Sequence, residues 1–420
     1  MRWRVEDTPE QAEFRAGFRE WLRGALSDAW VDAVEAGDDA AYARAREEAE
    51  AAGWNPFSWT ATLGESGYAA PLWPKEYGGL SAPSWAQRVV REELERYRLP
   101  TVSANILGLG LAGPTIIEHG TEAQKGRYLR KILTGEEIWC QLFSEPGAGS
   151  DLASLGTRAV RDGDEWVVNG QKVWTSIAQL SKFGMLVART DADKPKHEGL
   201  TYLIVDMKAP GVEVRPLYQI TGSAEFNEVY FTDVRVPDEN RIGDVGDGWR
   251  VARTTLMNER VTLSGVSLDN VAFTGGVRRD PWESFLESVP DRRDPVVRQE
   301  LAQYYIEQQV KEITSYRAAA ARAAGQQPGP EGAIGKVFNA EYNQRRSAFA
   351  VDRLGPRGMA WVDGDRTAEN KAHAFLRARA NSIEGGTSEI LRNQIGERVL
   401  GLPREPEADK GVAWKEIKRG

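Results

Sequence analysis

The chain has 420 residues, 54 of them basic and 62 acidic, for a net charge of −8. That length supports two or three structural units with substantial cores, and the acidic balance excludes a general nucleic-acid binder, which needs a basic surface. One cysteine, Cys140, excludes a disulfide within the chain, and the scattered histidines His119, His197 and His373 lack the spacing of a transition-metal site.

In chain order, the first part reads as helical. The start, Met1-Arg2-Trp3-Arg4-Val5, has no basic-then-apolar pattern of a secretory signal. No apolar run is long enough to span a membrane, so a cytoplasmic, reducing setting is expected. Thr8-Pro9-Glu10 is a helix start, with Thr8 as cap and Pro9 in the first turn. Residues 39–52 are rich in Ala and Glu, and 81–97 form a second amphipathic pattern. Thr121-Glu122-Ala123-Gln124 is a capping sequence leading into Lys125–Leu133.

From about 139 to 240 the period changes to that of strands. Thr157–Val160, a turn at Asp162-Gly163-Asp164, and Glu165–Val168 with Asn169-Gly170 give a hairpin signal. Phe183–Arg189, Leu200–Asp206, Val212–Pro216 and Glu228–Val236 are further β-rich runs, the last broken by Pro237. Helical patterns return after 246, over 296–324, 331–354 and 369–382, with Gln326–Pro330 ending the first of these three. Residues 274–294 read as a loop or a short inserted element. Helices, a small β unit and then helices again make an α+β arrangement.

Two stretches carry the chemistry. Ser144-Glu145-Pro146-Gly147-Ala148-Gly149-Ser150-Asp151 is a glycine-rich loop between hydrogen-bonding side chains, and Asn169–Ser176 ends a strand with an indole beside two hydroxyls. They suit a large flat cofactor with a charged tail. With so few histidines and one cysteine, any acid–base work falls to carboxylates.

These residues resemble the acyl-CoA dehydrogenase family across nearly the whole chain. The carriers are Trp139–Asp151, Asn169–Ser176, Phe231–Pro237, Ile383–Ile390 and Glu397–Gly401, in family order. The resemblance implies an N-terminal α-helical domain (1–138), a middle β-barrel-like domain (139–240) and a C-terminal four-helix bundle (241–420). It also implies FAD, an acyl-CoA substrate and an electron-transfer flavoprotein as electron acceptor. The expected assembly is a homodimer or homotetramer. Gln141, Phe143 and Ser144 would lie beside the flavin, Trp174 against one face of its ring and Ser176 near N5. Thr387 and Glu389 would lie near the ribityl and phosphate region, with Gly355 and Gly358 at the adenine end. Ser150 would meet the CoA arm, and Arg260 would contact it or hold its own helix.

In the family's reaction a carboxylate takes the α-proton while the β-hydride passes to the flavin. Many members carry that carboxylate immediately before the Gly-Thr of the C-terminal motif, where this chain has Gly385. Two residues could replace it: Glu259, in Leu256-Met257-Asn258-Glu259-Arg260, matches members with the base on this helix, and Glu384 lies one residue before the usual place. Gly385 can still offer its N–H to the thioester oxygen. A second departure is Asn270-Val271-Ala272-Phe273, which keeps the phenylalanine of an Arg-x-x-Phe pair but not the arginine. A heteromeric enzyme of steroid side-chain type therefore stands as one alternative, and an oxygen-using flavin oxidase of the same fold as another.

Overall fold

The structure, a computed structural model, describes residues 6–100, 105–263, 281–287, 289–323, 331–359, 366–406 and 409–417. The pair at Asn270–Phe273 lies outside them. The N-terminal helices are α1 (Pro9–Ala25), α2 (Asp28–Ala36), α3 (Asp39–Ala51), α4 (Pro56–Glu65), α5 (Ala86–Arg96), α6 (Gly113–His119) and α7 (Glu122–Thr134). Local chemistry starts three of them in the same way. Thr8, Asn55 and Thr121 each accept from the backbone N–H three residues on, while Gln11, Ser58 and Gln124 reach back to close a capping box. Phe18, Leu22, Trp30, Tyr42, Trp59, Leu94 and Tyr97 share one buried cluster, and the buried Glu93 accepts from Arg15 and Arg19, fixing α5 to α1. The helical pattern expected over 81–97 begins only at Ala86, because Ser81–Trp85 turns around Pro83.

The middle unit is one eight-stranded sheet: β1 (Trp139–Leu142), β2 (Arg158–Asp162), β3 (Glu165–Ser176), β4 (Phe183–Arg189), β5 (Leu200–Asp206), β6 (Val212–Leu217), β7 (Phe226–Pro237) and β8 (Arg241–Ile242). The order is β6-β7-β3-β2-β4-β5-β8, with β1 parallel to β4. The expected hairpin is present, turning between Asp162 and Glu165, with Gly163 supplying the positive φ. Trp166, Val168, Val229 and Phe231 meet Leu186, Ala188, Leu203 and Val205 in one cluster, so the sheet folds over its own core. The opposite face of β1, β4 and β5 packs on the helices through Trp139, Phe143, Phe183, Met185 and Tyr202.

The C-terminal unit holds α8 (Gly248–Leu263), α9 (Pro281–Glu287), α10 (Pro295–Ala323), α11 (Glu331–Asp352), α12 (Arg366–Arg377) and α13 (Ser388–Arg398). Helix α9 falls within residues 274–294, which the sequence reads as a loop or a short inserted element. The helix expected over 369–382 is α-helical only to Arg377 and finishes as a 3₁₀ stretch, Ala378–Ser382. Helix α11 packs against α10, α12 and α13, while α8 lies against β5, α6 and the π-turn Gly108–Ala112. Residues 409–417 return to the sheet. Trp414 N donates to the Lys194 carbonyl, its Nε1 donates to Ser154 O at 3.2 Å, and the Arg189 guanidinium lies 4.7 Å over its ring.

Candidate functional site

The glycine-rich loop is anchored from inside the protein. Lys172, on β3, is fully buried and donates to the Phe143 carbonyl and to Glu145 Oε1, both at 2.8 Å. The Glu145 carboxylate also accepts from the backbone N–H groups of Gly156 and Thr157. Burial alone would raise its pKa, but the ammonium and these donors outweigh that and hold it below the usual carboxylate value. Burial holds the Lys172 ammonium below the lysine range, with Glu145 opposing. Beyond this anchor, Glu145 and Ala148 exchange backbone hydrogen bonds, and Gly147 and Gly149 have open space where a Cβ would stand.

Trp174 owes its position to a β-bulge. Between the pairs Lys172↔Val229 and Thr175↔Asn227, β3 has one residue more than β7. Trp174 is the misfit, at φ 61°, and its indole is 57% exposed, an orientation that a regular strand would not give it. It sits edge-on to Phe226, whose own register partner is Ser176. Beside it, Thr175 Oγ1 is buried without a hydrogen-bond partner among the described residues.

Helix α8 brings Glu259 to this region. One turn earlier, the buried Thr255 shares hydrogen bonds with Thr115 (2.9 Å) and Tyr202 (3.1 Å), which locks the helix to α6 and β5. Gln141 Nε2 donates to Glu259 Oε2 at 3.0 Å. A Cβ placed on Gly385 would lie 4.0 Å from Glu259 Oε1. The helix carboxylate thus reaches the place where Gly385 has no side chain.

Glu384 is engaged elsewhere. Its two oxygens accept from the buried Arg377 (2.9 Å) and from Asn381 (2.7 Å). The Arg377 guanidinium also lies 5.6 Å over Phe226. The loop itself needs glycine, with Gly385 at φ 63° and Gly386 at φ 93°, and Lys336 Nζ donates to the Gly386 carbonyl. These residues therefore lie in a ring: Gln141 bonds Glu259, Glu259 approaches Gly385 and its neighbour Glu384, Glu384 pairs with Arg377, and Arg377 lies over Phe226, which meets Trp174. Val173 N, beside Trp174, donates to Ser144 O and closes the ring.

Of the expected residues, Gln141, Phe143, Ser144, Trp174, Ser176, Glu259 and Gly385 fall on or directly beside this ring. Thr387 caps α13 next to it, accepting from Ile390 N. Ser150 is exposed at the end of the glycine-rich loop, and its neighbour Asp151 pairs with Lys196. Glu389 points outward on α13, its side chain 78% exposed. Gly355–Gly358 forms a 3₁₀ turn after α11, with Gly358 packed against the Val351 carbonyl. Arg260 lies on α8, but its side chain is outside the description.

Sequence reasoning missed Lys172, Arg377 and Phe226. A lysine in the same inward row as Trp166 and Val168 was the available signal for the first. The residues present fit a large flat group. An exposed indole, an orphaned buried hydroxyl and side-chain-free glycines line one region, with a carboxylate at its edge.

Three family models match the chain: acyl-CoA dehydrogenase N-terminal domain over residues 8–136, middle domain over 140–234 and C-terminal domain over 246–400. Acyl-CoA dehydrogenase FadE34 of Mycobacterium tuberculosis is 40% identical over 400 residues, covering 93% of this chain; the chain spans about half, 53%, of that relative's length. Acyl-CoA dehydrogenase IpdE1 of the same organism is 39% identical over 394 residues, covering 94% of this chain and 98% of its own. Among solved structures, the Tcur3481-Tcur3483 steroid ACAD has a TM-score of 0.75 at 29% identity, covering 95% of this chain and 99% of that one. The ChsE4-ChsE5 complex from Mycobacterium tuberculosis has a TM-score of 0.72 at 29% identity, covering 96% and 100%.

Proposed function

Because the chain belongs to the acyl-CoA dehydrogenase family, we propose that it dehydrogenates an acyl-CoA thioester between its α and β carbons, with Glu259 as the base. Members of this family are FAD-dependent flavoproteins. When bound, FAD supplies the acceptor for the β-hydride, and an electron-transfer flavoprotein is the proposed acceptor of its electrons. Phe143, Ser144, Trp174 and Ser176 would hold the ring of that cofactor, and Thr387, Glu389, Gly355 and Gly358 its tail. Ser150 and Arg260 are assigned to the CoA arm.

The observation that carries this reading is Glu259 Oε1 standing 4.0 Å from where a Gly385 side chain would begin. The chain has moved the carboxylate to a helix and kept its reach to the same place. With the α-proton on Glu259, negative charge develops on the thioester oxygen. The Gly385 N–H is the proposed donor to that oxygen. Glu384, paired with Arg377, anchors the loop instead of acting as base.

Glu259→Gln should leave a yellow protein that no longer bleaches with acyl-CoA under anaerobic conditions. Bleaching at the wild-type rate would remove Glu259 from the role. A panel of CoA thioesters led by polycyclic acyl groups, as the similarity to a steroid ACAD suggests, would identify the substrate. The ChsE4-ChsE5 likeness favours a second reading, in which this chain is one subunit of a heteromer. That reading expects colourless protein alone and FAD uptake only with a second chain. Oxygen consumption with substrate would instead point to an oxidase.

A further inference from the structure

We infer that Gln141 is a positioning residue for the base: its side-chain amide orients the Glu259 carboxylate and keeps it ionised, a role that rests on Glu259 being the base. Strand β1 is an apolar strand with one exception. Trp139, Cys140 and Leu142 are fully buried, and Phe143, which follows directly, nearly so. Trp139, Gln141 and Phe143 share one face by strand alternation, the face packed on the helices. An amide in that row is costly unless it is hydrogen-bonded. Its Nε2 donates to Glu259 Oε2 at 3.0 Å, which leaves Oε1 on the side of Gly385.

Gln141 is held in β1 by its pairing with Met185 on β4, whereas Glu259 is carried by a helix. The strand amide thus fixes the position of one oxygen of a carboxylate carried on the helix. The charged groups around the facing loop are engaged with one another: Glu384, on the loop, accepts from Arg377 at the end of α12 and from Asn381, and Lys336, on α11, donates to the Gly386 carbonyl. An N–H donated to a carboxylate favours its charged form, so the amide sets both the direction of Oε1 and the pH at which it can accept a proton.

The test compares Gln141→Leu and Gln141→Glu with the wild type. For Gln141→Leu, kcat should fall about tenfold with little change in KM, and the acid limb of its pH profile should move up by about one unit, the worth of a hydrogen bond to a charged group. For Gln141→Glu, which sets two carboxylates to share one proton, the limb should move further. Carbodiimide labelling of Glu259, read by peptide mass spectrometry across pH, should show the same order of midpoints in protein with or without its cofactor. Unmoved midpoints and an unmoved limb in both variants, with Glu259→Gln inactive, would overturn the role of Gln141 and leave the base in place. A Glu259→Gln enzyme that still bleaches would overturn both.

Discussion

Replacing Lys172 with methionine keeps the stem and removes the ammonium from a fully buried position. The Phe143 carbonyl then loses its donor. The Glu145 carboxylate, only 11% exposed, is left with two backbone N–H groups. Removing one partner of a buried ion pair costs about 3–5 kcal/mol, because the other charge stays buried and uncompensated. With a urea dependence of roughly 3 kcal/mol/M or more for a chain of this size, the midpoint should fall by about 1 M. Glu145→Gln alone should cost a similar amount, while the double variant recovers at least about 1 kcal/mol relative to additivity. The pH dependence follows from the sign of the Glu145 shift. Its folded pKa is lowered, so its contribution is present above the ordinary carboxylate value and is lost as pH falls through the folded one. The single Lys172→Met variant should lose less on acidification than the wild type. Urea titrations at pH 7 and at acid pH, with cofactor colour followed in parallel, make the comparison. A cost below about 1 kcal/mol for Lys172→Met, or strict additivity in the cycle, would refute the claim that this pair anchors the glycine-rich loop.

Further outcomes are expected at other sites. Gly385→Ala must adopt the left-handed conformation and should lose about 1–2 kcal/mol, yet keep its cofactor, since its Cβ meets Glu259 only at ordinary contact distance; loss of colour would show that the loop has no room for it. Cys140 is fully buried and its thiol is pushed up to about 12 by that burial, so a thiol reagent should react only on denaturation, and fast labelling of native protein would contradict the placement of β1. Trp414→Ala removes the ring under Arg189 and the donor to Ser154, and limited proteolysis should then cut within 409–417 well before the wild type is cut.

Much of the fold was legible where the determinants are local. Thr8, Thr121 and the Gly163 turn work through residues three or four apart, and the structure has those elements where the sequence puts them. Asn55-Pro56 carries the same start signal as Thr8-Pro9 and begins α4. What was not legible depends on a partner distant in the chain. The exposure of Trp174 comes from an extra residue counted against β7, so β3 alone does not contain it. The site was half legible in the same sense. Gly385 announces a missing carboxylate from its motif alone, whereas the approach of Glu259 to that gap depends on the Thr255 contacts with Thr115 and Tyr202, drawn from three separate segments.

The return of residues 409–417 to the sheet gives the molecule an order of completion. During synthesis, Arg189 and the carbonyl of Ser154 leave the ribosome long before the indole that covers them. Until helices α8 to α13 have followed, that side of the sheet is an unfinished surface. Closing so long a loop costs only slightly more than closing a short one, since the entropy grows with the logarithm of length. The bundle can therefore vary in length with little penalty for the tail, and a docked Trp414 reports that everything between has been made.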